Sequence, residues 1–470
     1  MSLKNHITEV FLFLNERAEY AVLRNYLGLP EDNSSRDIDI IITKRCFGEI
    51  KRELVECLCQ GGWRIITYLN SDRLITFVCA KNVDNETEIV QWDFFINTSV
   101  WGVELMSAEE FLEYRVWNGF LWHVDVVGEF LDKYLYNRAV GASYPAKYEY
   151  IRTQITECLS LTDHTDNSQQ ILTPAEQSSR PPKTGGQYDA HRRVAEKLNE
   201  VFGCGDLVVC DRMSGKRLLW NAVKGNLKRR PMGLLAGVCA FLYTFVRNYL
   251  RSNTGFAIGF TGPDGVGKTT VIDMLIARLG DVFRTVHSYM HFRPMLFGNL
   301  GEVAHSVGLK KEVDREYTKP HRGGHVGVVS SLVRLAYYSV DYIVGYWLKV
   351  KSQIRITRLV IFDRYYTDVI CDSRRSRIFL NYKFLYWFGW VFVPRLDYNV
   401  LLTARTETIL ARKRELTEEG IRAINERIEF LAKKRGYRKF VNEGTAEEMV
   451  TEILEWVFEE QHKRNMKRIV

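Results

Sequence analysis

The chain has 470 residues, enough for two to four domains at roughly 150 residues each. Its net charge of +8 suits phosphate-bearing small molecules but is too diffuse to require nucleic acid, and 46% hydrophobic residues with 10 Pro against 33 Gly exclude a mostly disordered or collagen-like chain. Nine scattered cysteines without a CxxC pair exclude a zinc ribbon or disulfide scaffold and point to a reducing cytosol. Met1 to Leu14 has no basic start, no long apolar core and no small-residue cleavage site, so no signal peptide is expected.

In the first module, apolar β-branched runs at Ile38–Ile42, Leu74–Val78 and Ile89–Ile96 predict strands. Between the first two, Phe47, Ile50, Leu54, Val55 and Leu58 keep helical spacing, and the segment from Ala108 to Val140 reads as helical. The mixture predicts an α+β domain over residues 1–161. Asp37 and Asp39 alternate along one strand and so share a face, and Asp93 sits on another apolar strand. Three such carboxylates on adjacent strands can hold Mg²⁺ and orient attack on a nucleotide α-phosphate. This arrangement resembles the nucleotidyltransferase fold, although the Gly-Ser pair of that family is missing and Asn33-Ser34-Ser35 stands in its region. The alternative is that Asp37 and Asp39 bind an internal Arg or a loop, in a domain that only recognises a ligand.

Residues 162–190, rich in Ser, Gln, Pro and Gly, read as a flexible linker. Residues 191–250 read as a helical connector of short helices and turns. It ends in Lys228-Arg229-Arg230 and an apolar run, Met232–Val246, too short to span a bilayer. That run, like the aromatic stretch Phe384–Val393, is either a packed helix or a helix lying on an anionic membrane surface.

Phe256–Thr261 predicts a short buried strand running into Gly262-Pro263-Asp264-Gly265-Val266-Gly267-Lys268-Thr269-Thr270. This fits G-x-x-x-x-G-K-[ST], and Val271, Leu275 and Leu279 then mark one face of a helix. Glycines let the backbone turn its N–H groups onto phosphate oxygens, and the helix N-terminus adds partial positive charge. ATP is expected on Gly262, Gly265, Val266, Gly267, Lys268, Thr269 and Thr270, with Lys268 bridging the β- and γ-phosphates and Thr269 holding Mg²⁺.

Leu359–Phe362 predicts a second buried strand ending in Asp363-Arg364-Tyr365. A carboxylate at that strand end sits beside the phosphate loop, where Asp363 would hold Mg²⁺ and Arg364 would clamp an acceptor phosphate. Tyr398–Leu402 predicts a third strand, followed by a helix over Glu407–Glu415 whose Arg412, Lys413 and Arg414 can close over the donor phosphates as a lid.

This order of parts, with Phe440-Val441-Asn442-Glu443-Gly444 before a final helix, resembles the thymidylate kinase family over about Gly255 to Glu459. The resemblance implies an α/β P-loop domain over residues 251–470, a parallel sheet flanked by helices, using ATP and Mg²⁺ for phosphoryl transfer to a nucleoside monophosphate. It implies that Asp264, Arg364 and Tyr365 lie toward the acceptor, and that Arg412 and Arg414 supply catalytic charge because Val266 replaces a basic loop residue of some members. Arg293 is the nearest counterpart of the family's Arg-Glu-Pro-Gly stretch. The more charged wall from Thr367 to Arg375, and an insertion over Phe297–Val329, depart from the family.

The chain is therefore expected to be an ATP-dependent kinase acting on a small-molecule phosphate acceptor in the cytoplasm, with no nucleic-acid partner. Peripheral contact at the inner face of the membrane and a homodimer stay open. Two alternatives are a Mg²⁺-dependent nucleotidyltransferase acting through Asp37, Asp39 and Asp93, and a non-catalytic nucleotide-dependent switch. The pairing of the two modules resembles bacterial proteins of surface polysaccharide assembly. His287 and His291 share i, i+4 spacing, but no Glu follows the first as a zinc helix needs; His321 and His325 share that spacing beside Gly323 and Gly324, in an insertion that reads as a mobile loop.

Overall fold

The computed structural model describes residues 1–33, 37–84, 86–160, 185–251, 255–279, 288–294, 296, 327–355 and 359–469. It divides into two compact units: Met1–Cys79, Ile89–Leu250 and Lys467–Val470 form the first, and Ala80–Glu88 with Arg251–Met466 the second. Most of the expected linker, most of the expected insertion, and His287, His321 and His325 lie outside the described residues.

The first unit is built on a mixed seven-stranded sheet. Its strands are β1 (Tyr20–Val22), β2 (Asp37–Ile42), β3 (Arg64–Asn70), β4 (Leu74–Val83), β5 (Glu86–Phe95), β8 (Arg115–Trp117) and β9 (Trp122–Val124), in the order β3-β4-β5-β2-β1-β9-β8. The two strands β6 (Asn97–Val100) and β7 (Val103–Ser107) form a separate antiparallel ribbon. β2 and β5 run parallel, with Asp39 opposite Asp93. The helix Lys44–Leu58 forms as its spacing predicts: Thr43 caps it, and Phe47, Ile50, Leu54, Val55 and Leu58 are buried.

The segment Ala108–Val140 is not helical throughout. The helices Ala108–Leu112 and Val126–Val140 are separated by the antiparallel β8–β9 hairpin, in which Trp117 pairs with Trp122. Residues 185–190 of the expected linker are already helical. The helices Gly185–Phe202, Leu207–Arg212 and Gly215–Arg229 join the first unit's core through Val194, Leu198, Phe202, Cys210, Leu218 and Ala222, packed with Phe130, Leu131 and Tyr134. The apolar run, expected to be too short to span a bilayer, lies within a longer single helix, Pro231–Arg251, whose segment Pro231–Leu250 is long and apolar enough to cross one.

The second unit is an α/β domain with an all-parallel five-stranded sheet flanked by helices. Its strands β10 (Phe256–Thr261), β11 (Ser288–His291), β12 (Leu359–Asp363), β13 (Tyr398–Thr403) and β14 (Tyr437–Val441) lie in the order β11-β12-β10-β13-β14. β10, β12 and β13 are buried along their whole length, which is why they read as continuous apolar runs. From β10 the chain visits one side of the sheet and then crosses to the other. The strand order therefore reverses at β10, and ligands bind beyond the carboxyl ends of strands at such a point.

Candidate functional site

The loop Gly262–Gly267 leaves the end of β10 and delivers the chain into the helix Lys268–Leu279. Gly267 holds a left-handed backbone, φ 93°, and a Cβ there would stand 2.7 Å from Asn442 Nδ2. A Cβ on Gly262 would strike the Leu402 carbonyl of β13. Val266 is fully buried, so the loop is pinned from within, and its carbonyl accepts a 2.7 Å bond from Asn442 Nδ2. Thr269 and Thr270 are exposed on the first turn of the helix.

Lys268 is 6% exposed, and its ammonium donates to the carbonyls of Gly262 and Pro263, both at 2.9 Å. Burial drives its pKa from 10.5 down to about 7; the Arg364 charge adds to this, while Asp264, Asp368 and Asp363 oppose it. Burial thus disfavours the charged ammonium, and an anion on the loop would favour it.

Asp363 closes β12 directly beside Phe260 of β10 and opposite His291 of β11. Tyr289 Oη donates to its Oδ2 at 3.1 Å, and His291 Nδ1 lies 3.2 Å from the same oxygen. Oδ1 is buried without a hydrogen-bond partner. Burial raises the carboxyl pKa, but the His291 hydrogen bond and the Arg364 and Lys268 charges outweigh it, so the group sits below the ordinary carboxylate range.

Asp264, Arg364 and Arg375 form an ion-pair cluster beside the loop. Both guanidinium groups donate to Asp264, Arg364 also holds Asp368 at 2.8 Å, and Asp264 Oδ1 is 3.8 Å from the Lys268 ammonium. Arg364 is thus fixed between two carboxylates at 4% exposure rather than offered freely to an acceptor. Arg293 is likewise tied down: it is 3% exposed, 3.1 Å from Asp341, and stacked over Tyr338. Tyr365 points into the core, donating to the Pro394 carbonyl and packing edge-on against Tyr342 and Phe362. Neither Arg293 nor Tyr365 stands with Asp264 and Arg364 at the loop.

The expected lid helix is shorter than its sequence suggests, Thr406–Arg412, because Lys413 is already extended. It lies against the phosphate loop: a Cβ on Gly265 would come within 3.0 Å of Lys413 Cβ. Arg412 is exposed and donates to the Asn442 carbonyl at 3.2 Å, and Arg414 is exposed on the same segment.

These residues fit a nucleoside triphosphate and its metal. Backbone amides and Lys268 suit the phosphates, the orphaned Oδ1 of Asp363 suits a divalent cation, and the Thr269 hydroxyl is exposed for the same ion. Among the described residues no group of three His, Cys, Asp or Glu side chains could hold a metal, so the nucleotide itself would supply the remaining oxygens.

The same observation corrects the expected trio in the first unit. Register brings Asp39 beside Asp93, but their carboxylates are engaged elsewhere. Arg24 bridges Asp39 at 2.7 Å and Asp132 at 2.6 Å, while Asp93 accepts from Thr76 and Gln91. Burial pushes Asp39 up to about 7 even with Arg24 beside it. Asp37, Asp39 and Asp93 do not form a metal cluster, and Asp39 binds an internal Arg instead.

No protein-family model and no curated protein matches the chain. Comparison with solved structures returns a thymidylate kinase from Ehrlichia chaffeensis, 15% identical, over 43% of this chain and 98% of that one, with a TM-score of 0.31.

Four residues that shape the site were assigned no role in it from the sequence: Tyr289, His291, Arg375 and Asn442. Asn442 lies in the Phe440–Gly444 stretch that carried the resemblance. Tyr289 and His291 precede the Arg293-Pro294 pair on a four-residue strand, too short to mark a site by its pattern.

Proposed function

We propose that the second unit is an ATP-dependent phosphotransferase that moves the γ-phosphate of ATP to a nucleoside monophosphate or a related small acceptor. The observation that carries this reading is the placement of Asp363, with one oxygen unpartnered, on the parallel strand beside the Gly262–Lys268 loop. Phosphoryl transfer is mostly positioning and electrostatics, so a few fixed groups suffice.

In this reading the loop amides and Lys268 hold the donor phosphates in line. Lys268, neutral at high pH without an anion, takes up a proton when the triphosphate arrives. An acceptor phosphate oxygen forms a bond to the γ-phosphorus as the bond to the β–γ bridging oxygen breaks, and ADP leaves. Mg²⁺, held by Thr269 and Asp363, would neutralise phosphate charge. Arg412 and Arg414 shield the transferring group from water. Arg364 is a positioning residue that fixes Asp264, and Arg375, at the same carboxylate, is the better placed of the two to meet an acceptor.

The test is incubation of the full chain with γ-labelled ATP and a panel of nucleoside monophosphates and phosphorylated sugars. Label should appear on an acceptor, with ADP released, and Lys268→Ala should abolish transfer. Pyrophosphate release that survives Lys268→Ala, or ATP binding with no labelled product from any acceptor, would overturn the proposal.

A further inference from the structure

The helix Pro231–Arg251 carries more exposed apolar surface than a helix of a water-soluble domain normally presents. Its 20-residue segment Pro231–Leu250 is long and apolar enough to cross a membrane by length and composition, yet only 6% of the segment is buried. Leu235 is 57% exposed, Leu242 53%, Tyr243 67% and Val246 52%. Contiguous apolar surface of this kind marks an interaction site.

The opposite edge of the helix is committed to the first unit. Gly237 meets Gly102 so closely that a Cβ on either would strike the other's backbone. Thr244 is buried, and Arg247 donates to the Asn70 carbonyl. The helix therefore has one face on protein and one face open along its length. Withdrawing it to cross a bilayer would break these contacts, whereas lying flat keeps them.

Charge identifies the partner. From Arg212 to Pro263 the chain has no Asp or Glu and nine Lys or Arg. The preceding helix Gly215–Arg229 places Lys224 over the half-exposed Trp220 ring at 5.6 Å, and adds the exposed Leu227 and Lys228. An aromatic and apolar face flanked by cations and free of acids complements an anionic lipid surface.

We infer that the helix Pro231–Arg251 docks the protein in the plane of an anionic bilayer, its Leu235–Leu242–Val246 face sunk at the headgroup boundary and its flanking Lys and Arg on lipid phosphates. Cys239, the one exposed cysteine among the described residues, sits on this helix and reports on it.

The full chain is sedimented with vesicles of phosphatidylcholine alone and of phosphatidylcholine mixed with phosphatidylglycerol. It should bind the anionic vesicles, weaken with salt, and show slower alkylation of Cys239 in their presence. Leu242→Glu with Val246→Glu, both at exposed positions, should weaken binding at least about tenfold. Lys216→Gln with Lys224→Gln should weaken it at low salt while leaving the apolar face intact. Binding unchanged by these substitutions, or absent altogether, overturns the inference. So does resistance to alkaline extraction, which marks a spanning helix, or self-association lost in the Leu242→Glu, Val246→Glu variant, which makes a second copy the occupant.

Discussion

The buried lysine of the phosphate loop should betray nucleotide binding by taking up a proton. Without an anion, Lys268 titrates at about 7. At pH 8 it is then roughly one-tenth protonated, and at pH 6 roughly nine-tenths. A triphosphate in the loop favours the ammonium, which raises the pKa back toward its ordinary range. The sign follows: the complex holds more protons than the free protein above pH 7, so affinity falls as pH rises through that value, by up to about tenfold per pH unit. Binding at pH 8 should take up roughly 0.9 proton, against roughly 0.1 at pH 6 from this group. A phosphate's own last ionisation lies near pH 6, so the diagnostic window lies above pH 7.5. Calorimetry of a non-hydrolysable ATP analogue in two buffers of different ionisation enthalpy measures the uptake directly. Lys268→Met should abolish it. A binding enthalpy independent of buffer at pH 8, with affinity flat from pH 7 to 9, would refute the assignment of Lys268 as the phosphate-binding group.

Further expectations follow from the packing. Asp363→Asn keeps the shape of the side chain but removes its charge, and should lower transfer at least about a hundredfold while leaving the melting temperature within a few degrees; steady-state kinetics and thermal melting check both. Arg24→Ala strips the partner from two buried carboxylates, Asp39 and Asp132, and should cost about 3–5 kcal/mol in urea unfolding of the first unit; a loss below about 1 kcal/mol would count against this network. Gly262→Ala drives a methyl into the Leu402 carbonyl and should impair nucleotide binding even where the protein remains folded, as read by a nucleotide-dependent rise in melting temperature.

Much of the second unit was legible because its signals are local. A buried strand, a glycine turn and a helix face follow one another in the sequence, and each is dictated by burial or backbone sterics. The carboxylate of Asp363 was legible for the same reason, since it ends an apolar run. Ion-pair partners were not, because they are chosen by three-dimensional proximity: Arg293 finds Asp341, and Arg24 finds both Asp39 and Asp132 across more than a dozen residues. Tyr365 illustrates the same limit, since nothing in its neighbours tells whether a tyrosine after Asp-Arg turns toward a ligand or toward the Pro394 carbonyl. The β8–β9 hairpin escaped because two three-residue strands are shorter than any periodicity that could reveal them.

Arg364 carries a consequence for how the site can diversify. Its backbone occupies the left-handed region at φ 73°, a conformation costing about 1–3 kcal/mol in a residue with a side chain. It is kept there by its own N–H on the Phe260 carbonyl at 2.9 Å and by the carboxylates at both ends of its guanidinium. Arg364 is thereby held against Asp264 of the loop, while the Asp363 carboxylate beside it is held by its strand and by Tyr289 and His291. Exchanging Asp368 or Arg375, both beyond the kink, therefore reaches Lys268 through Arg364 and Asp264. The two flanks of this cluster are electrostatically joined, so a change on one is felt on the other.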